Sequence, residues 1–360
     1  MEGDPIEDVL AAATGAVSWS VRGFSVVKPK NDVFGQGDQA VTRPNEDRFR
    51  VAETGDGLLA AVSDGAGSSG LYCGQWAQAL VDHLPDTPFP NRGAVDPWMG
   101  GFWKQFADEA KRLAADAPTR HTKLIREGSC ATLSVCWLRR TDAGVTLHWM
   151  GYGDSPLCVF EWRDGQPALI SSHPGSLAKF DQAPFLLNWK DVPHKDHIRG
   201  GVVHLPPQAT VMLASDGIGQ FVLLRYLSVL SALGADAVLS APARALLEEF
   251  RKIVQTSGSK LSSMAQKHLL QPHGSAATFI AELRAAMTSE ATFASLVRAW
   301  NEHGLMPNDD ATLVIIDVET LEPEPEPEPP ADTHDDIPVP SDGDSPVTDG
   351  AGEPGTSDGG

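Results

Sequence analysis

The chain has 360 residues, of which 41% are hydrophobic, and a formal charge of −20 at pH 7. That is enough for one large domain or two small ones with a buried core, and the lack of any net-basic segment argues against nucleic acid as a partner. The charge is unevenly spread: thirteen acidic residues and no Lys or Arg fall from Glu319 onward, so the preceding 318 residues carry only −7.

Residues 1–18, beginning MEGDPIEDVLAAATGAV, read as an N-terminal extension without the positive start and long apolar centre of a signal peptide. With no span suited to a membrane, this predicts a cytoplasmic protein with no membrane partner. A single domain is predicted over residues 19–318. Its first informative stretch is RPNEDRFRV, where Glu46 and Asp47 stand just before a strand. The run LLAAVS (58–63) is a strand that ends in Asp64-Gly65. The segments LYCGQWAQALVDHL and PWMGGFWKQFADEAKRLAADA carry apolar residues at helical spacing. Strands follow at ATLSVCWL, VTLHWM and PLCVFEW, with Asp154 in the link between the last two.

The segment from His173 to Arg199 reads as a flap, with Phe185 and Trp189 as its packing. The strands VVHL and VMLAS come next, and the second ends in Asp216-Gly217. A helical block is predicted over 219–303. Its most apolar part is interrupted by Arg225 and Asp236, which suits a buried or amphipathic helix. MPNDDATLVIIDV then places Asp309 and Asp310 ahead of a final strand. Strands and helices in this order predict an α+β fold with a sheet core and segregated helical layers. Residues 319–360 form an acidic, Pro/Gly-rich tail, predicted to be a disordered spacer. Cys73, Cys130, Cys136 and Cys158 lie in apolar runs without metal-site spacing and read as reduced core residues.

Ser-Asp-Gly thus closes an apolar run twice, and acids recur at three further strand boundaries. One Asp-Gly after a strand is usually only a turn. Several carboxylates brought together by a sheet pose a harder problem, because two of them 4 Å apart repel by roughly 4 kcal/mol at an effective dielectric near 20. Hard cations such as Mg²⁺ or Mn²⁺ relieve that repulsion. His194 and His197 are an isolated pair in a polar loop and read as solvated.

The ordered set Arg43-Pro-Asn-Glu46-Asp47, Ser63-Asp64-Gly65-Ala-Gly67, Gly128-Ser129-Cys-Ala-Thr132, Gly153-Asp154-Ser155, Ala214-Ser215-Asp216-Gly217 and Asp309-Asp310-Ala-Thr312 resembles the metal-dependent protein phosphatases of type 2C, particularly their bacterial members. The resemblance implies a central β-sandwich of two antiparallel sheets flanked by helical layers, with two divalent cations, Mg²⁺ or Mn²⁺, at one end and a weaker third beside them. It implies that Asp64 bridges the pair, that the Gly65 carbonyl binds one ion, and that Asp216 and Asp309 complete the shell of the other. Glu46 and Asp47 would act through water, Asp154 would hold the third ion, and Arg43 would clamp the substrate phosphate.

The implied reaction is hydrolysis of phosphoserine and phosphothreonine in proteins by a metal-activated water. Catalysis would rest on Arg43, Asp47, Asp64, Asp216 and Asp309. The implied partners are a phosphorylated protein substrate and a serine/threonine kinase as counterpart, and the chain is taken as a monomer. Two positions depart from the family pattern: Ala66 stands where many relatives have His, and Pro156 where Arg often follows Gly-Asp-Ser. Two alternative readings stand beside this one. One is a catalytically weak phosphoprotein-binding module on the same fold. The other is a dinucleotide-binding oxidoreductase, suggested by Gly65-Ala-Gly67-Ser-Ser-Gly70 after a strand and before a helix.

Overall fold

Continuous apolar strands imply burial on both faces, and the computed structural model, which describes residues 17–30, 43–142, 144–234, 239–271 and 274–320, bears this out. The rest of the N-terminal extension and the acidic tail beyond Thr320 lie outside the described residues. The strands are β1 (Val17–Val26), β2 (Arg48–Thr54), β3 (Gly57–Ser63), β4 (Cys130–Ala131), β5 (Leu133–Thr141), β6 (Gly144–Tyr152), β7 (Leu157–Arg163), β8 (Gln166–His173), β9 (Leu187–Asn188), β10 (Arg199–Leu205), β11 (Gln208–Ala214) and β12 (Ala311–Thr320). Helices α1 (Cys73–Asp82), α2 (Val95–Gly100), α3 (Trp103–Ala114) and α4 (Pro118–Glu127) lie between β3 and β4. Helices α5 (Asp216–Leu233), α6 (Ala241–Gln255), α7 (Lys260–Leu270), α8 (Ala276–Ala286) and α9 (Glu290–Glu302) lie between β11 and β12.

Two five-stranded antiparallel sheets form the centre, in the orders β1-β12-β11-β7-β8 and β10-β6-β5-β3-β2. The period of two divides each inner strand between two cores. In β3, Leu58, Ala60 and Val62 join Val211 and Leu213 of β11 and Val314 and Ile316 of β12 between the sheets. Leu59 and Ala61 face the other way, toward Trp76 and Leu80 of α1. In β12, Leu313 and Ile315 turn outward onto Phe221 and Leu224 of α5 and Phe293 of α9. The expected sandwich with helical layers is therefore the observed architecture, helix on sheet on sheet on helix. Buried on almost every side, α5 accounts for the apolar run after Gly219. Among the described residues no helix is long and apolar enough to cross a membrane.

Two strands carry weaker sequence signals than the others. In β8, Leu169 supplies a fully buried side chain, whereas Ser171 and Ser172 are only partly buried. β1 alternates buried and half-buried residues from Val17 and pairs with β12 along its whole length. Arg284 of α8 anchors the second helical layer: its guanidinium donates to both oxygens of Asp317 in β12, at 2.5 and 3.0 Å, and to Thr210 Oγ1 of β11 at 2.9 Å.

Close strand pairing at the β3 hairpin makes a test of the register. A Cβ on Gly57 would lie 1.8 Å from the Leu138 carbonyl oxygen of β5, whereas one on Gly55 would meet nothing within 4 Å. Gly57→Ala is expected to cost about 1–3 kcal/mol or more of unfolding free energy. Gly55→Ala should be neutral or stabilising by up to about 1 kcal/mol. Urea unfolding of both variants checks this, and equal midpoints would contradict the β3–β5 register.

Candidate metal centre

The two Ser-Asp-Gly copies close strands of opposite sheets. Asp64 leaves the end of β3, and Asp216 follows β11 as the first residue of α5. The second copy is thus a helix start, where free N–H groups favour a carboxylate. Asp309 and Asp310 lead into β12, and two bonds tie that segment to Ser215: Ser215 N donates to the Thr312 carbonyl at 2.9 Å, and Thr312 N donates to Ser215 Oγ at 3.0 Å. Asp154 lies in the β6–β7 link and Asp47 just before β2, with only 6% and 2% of their surface exposed.

A frame of small polar residues fixes Asp64. Its N–H donates to Thr132 Oγ1 at 3.1 Å, and Thr132 N donates back to the Asp64 carbonyl at 2.9 Å. Ser63 Oγ donates to the Thr132 carbonyl, and Thr132 Oγ1 shares a 2.5 Å hydrogen bond with Ser155 Oγ. The Gly-Ser-Cys-Ala-Thr stretch therefore joins the Asp64 turn to the Gly-Asp-Ser turn. The glycines after Asp64 serve close approach of the chain. A Cβ on Gly65 would lie 2.7 Å from the Glu46 carbonyl oxygen and 2.8 Å from the Cys73 carbonyl carbon, and one on Gly67 would lie 2.0 Å from Glu46 Oε2. These glycines seat the Glu46 segment. With β3 antiparallel to both neighbours, the βαβ unit that a dinucleotide site needs is absent there, and the oxidoreductase alternative is overturned.

The carboxylates act on one another. Burial, and then the charges of Asp47, Asp216, Asp309 and Asp154, push Asp64 well above the usual carboxylate range. Burial and then Asp310 raise Asp47 to about 8. Burial and then Asp216 raise Asp154 to about 7, and burial and then Asp309 raise Asp216 to about 6. Burial chiefly raises Glu46 as well, and Asp309, although exposed as a residue, is raised by hydration lost against the neighbouring chain and by the charge of Asp310. The positive charge of exposed Arg43 favours the charge on Glu46.

Among the described residues no three Asp, Glu, His or Cys side chains form a ready-made metal cage. The donors nevertheless fit a hard divalent cation. Asp47 Oδ2 and Asp216 Oδ1 are buried without a hydrogen-bond partner among the described residues. The donors are oxygens, and Mg²⁺ is commonly held by one or two carboxylates with water filling the remaining positions.

Several contributors have roles that their place in the sequence does not reveal. Buried Asp310 accepts from Lys28 N at 2.9 Å and Glu46 N at 2.8 Å, joining the end of β1 to the acidic segment. Lys28 and Lys260, the latter at the start of α7, set positive charge against Asp309, and Lys260 also acts on Asp216. Pro156 lies where a Cβ on Gly219 would be, 2.3 Å from its Cγ, so the departure at this position packs the first turn of α5. His194 and His197 stand in the flap, with Phe185 stacked on His197 at 3.4 Å between ring centroids. Phe185 is 45% exposed, contrary to its reading as packing, while Trp189 is buried and donates to Ser129 Oγ at 3.2 Å.

No protein-family model and no curated protein matches the chain. It is similar to solved serine/threonine phosphatases. One, from S. agalactiae, shares 13% identity over 83% of this chain and 98% of its own, with a TM-score of 0.39. The catalytic domain of the serine/threonine protein phosphatase PstP in complex with two manganese ions shares 15% over 84% and 99%, with a TM-score of 0.38. PppA, a regulatory component of T6SS in Pseudomonas aeruginosa, shares 16% over 85% and 100%, with a TM-score of 0.39.

The raised carboxyls make stability depend on pH. Between the ordinary aspartate value of 3.8 and the raised values of about 6 to 8, the folded chain holds more protons than the unfolded one. Cation-free protein should therefore be more stable at pH 5 than at pH 8.5, and Mn²⁺ should raise the urea midpoint more at pH 8.5. Asp47→Asn should flatten the profile. Equal midpoints at both pH values without cation would contradict the cluster.

Proposed function

We propose that this protein is a metal-dependent phosphatase that hydrolyses phosphoserine and phosphothreonine in other proteins. The observation that supports the reading is the raised carboxyls of Asp47, Asp64, Asp154, Asp216 and Asp309, each acted on by others of the set, together with two buried carboxylate oxygens that have no hydrogen-bond partner among the described residues. Ser/Thr phosphatase motifs in the same order along the chain support it.

In this reading Asp64, Asp216 and Asp309 hold a pair of Mg²⁺ or Mn²⁺ ions. Gly65 offers its carbonyl, which already accepts from Gly67 N at 2.9 Å and keeps a second lone pair. Glu46 and Asp47 would act through water bound to the pair, and Asp154 would hold a weaker third ion. When bound, such a pair lowers the pKa of water and offsets charge on a phosphoryl group. The protein's own part is placement. Thr132 and Ser155 fix the Asp64 and Asp154 turns, Ser215 fixes Asp216 against Thr312, and Asp310 fixes the Glu46 backbone. Arg43, exposed at the mouth, offers a planar fork that suits phosphate oxygens. Ala66 has no proton to donate, so the leaving oxygen would take its proton from water or another side chain. A kinase acting on the same proteins is the natural counterpart, and residues 19–318 would be the catalytic domain.

The test is hydrolysis of a small aryl phosphate with Mn²⁺. Activity should vanish on chelation and return with Mn²⁺. Asp64→Asn and Asp216→Asn should each lower kcat by on the order of 100-fold or more, as removal of a fixed electrostatic stabiliser does. Wild-type rates in either variant would reject the assignment. Tight phosphopeptide binding without turnover would point to the binding module instead.

A further inference from the structure

A cleft of about 380 Å³ opens beside Asp154, between β6 and the loop that follows β8. Asp154 and Gly153 form its inner end, Trp149, Pro174 and Phe185 its apolar walls, and Lys179 and Arg199 its charged rim. Both cations are exposed, and so is the Phe185 ring. His173, also lining the cleft, is 6% exposed, and its Nε2 has no hydrogen-bond partner among the described residues. The cleft thus joins an apolar surface, an unused buried polar atom and two positive charges to the acidic centre.

Its outer wall is held from outside its own sheet. Glu249 of α6 accepts three hydrogen bonds from the loop: Ser176 Oγ at 2.8 Å, Leu177 N at 2.8 Å and Ala178 N at 2.9 Å. The carboxylate caps the short 3-10 turn Leu177–Asp181, from which Lys179 reaches the rim. Leu246, Leu247 and Phe250, the buried neighbours of Glu249 on α6, fix the backbone that carries it. The position of the wall is thereby set by the second helical layer.

We propose that this cleft binds the segment flanking the phosphorylated residue of a protein substrate, taking an apolar side chain with an acidic neighbour, and that Glu249 is the positioning residue for its wall. This rests on the phosphatase reading, since Asp154 belongs to both the acidic cluster and the cleft. A phosphoryl group at the cluster therefore places the adjoining peptide against Trp149 and Phe185. The rim charges are opposite in sign to the cluster, so an acidic flank is drawn to Lys179 and Arg199 while the cluster repels it.

The experiment uses the full chain with Mn²⁺ and fluorescent peptides carrying a non-hydrolysable phosphonate in place of phosphothreonine, followed by anisotropy. A peptide with a Phe-Glu flank is compared with one carrying Ala-Gln. Wild type should prefer Phe-Glu by about tenfold, from partial burial of the ring and the rim charges. The double charge reversal Lys179→Glu with Arg199→Glu should lower the preference to about twofold. Glu249→Ala should raise KM for the matching phosphopeptide while its kcat falls much less, and Glu249→Gln should restore part of the loss.

No preference in wild type, or a preference untouched by the charge reversal, overturns the cleft assignment. Equal falls in kcat for the phosphopeptide and a small aryl phosphate in Glu249→Ala, without recovery in Glu249→Gln, overturn the positioning role. A Phe-Glu preference in a protein that hydrolyses neither compound would sink the phosphatase reading and leave the cleft standing.

Discussion

Like charge gathered at one end of the sandwich, part of it buried and part half-buried, is the constraint on which the rest of this structure depends. Asp47 and Asp154 are nearly sealed from solvent, and the charges of Asp47, Asp216, Asp309 and Asp154 all raise Asp64. Such a cluster is costly unless protons or cations share it. The chain pins the backbone around each acid with small hydroxyl residues: Ser63, Thr132 and Ser155 on one side, Ser215 and Thr312 on the other. Because the acids cannot swing apart, their repulsion is stored in raised proton affinity. In the phosphatase reading the same repulsion would favour a divalent cation, whose binding would release protons and cancel charge at once.

The sandwich makes this arrangement affordable in structural terms. Its two sheets share one core and each carries a second core under its helices, so most strands are locked by side chains on both faces. Turns at one end of so rigid a stack have little freedom. An acid placed directly after β3 and another at the start of α5, with only Ser215 between it and the end of β11, are brought to the same end because the strands that deliver them face each other across Leu58, Val62, Val211 and Leu213.

How much of this could be read from residues alone depends on how local the cause is. The apolar runs of β3, β5 and β12 announce themselves, and the repeated Ser-Asp-Gly points to paired carboxylates. β8 escapes because Ser171, Ser172 and His173 dilute its apolar pattern, although β7 pairs with it along its length. Lys260 and Glu249 escape for a different reason. Each is one charged residue on an amphipathic helix, indistinguishable in sequence from an ordinary solvated face. Their roles exist only after α6 and α7 pack against α5, so no spacing rule could find them. Asp310 is intermediate: its neighbour Asp309 draws attention to the pair, but only the fold reveals that Asp310 turns inward to hold Lys28 and Glu46 by their backbone N–H groups.

The second helical layer therefore has a closer relation to the acidic end than its distance in sequence implies. From α7 it sets the charge of Lys260 against Asp216 and Asp309, and from α6 it supplies the carboxylate that fixes the loop beside Asp154. Both helices sit on α5 through one continuous apolar core, and α5 itself begins at Asp216. A shift of α6 or α7 along α5 would alter the charge balance of the cluster and the width of the cleft together, because the same packed surface positions both. Charge and shape at this end of the molecule are thus set by one set of hydrophobic contacts, several of them on the far side of the sheet from the core that β3 and β11 share.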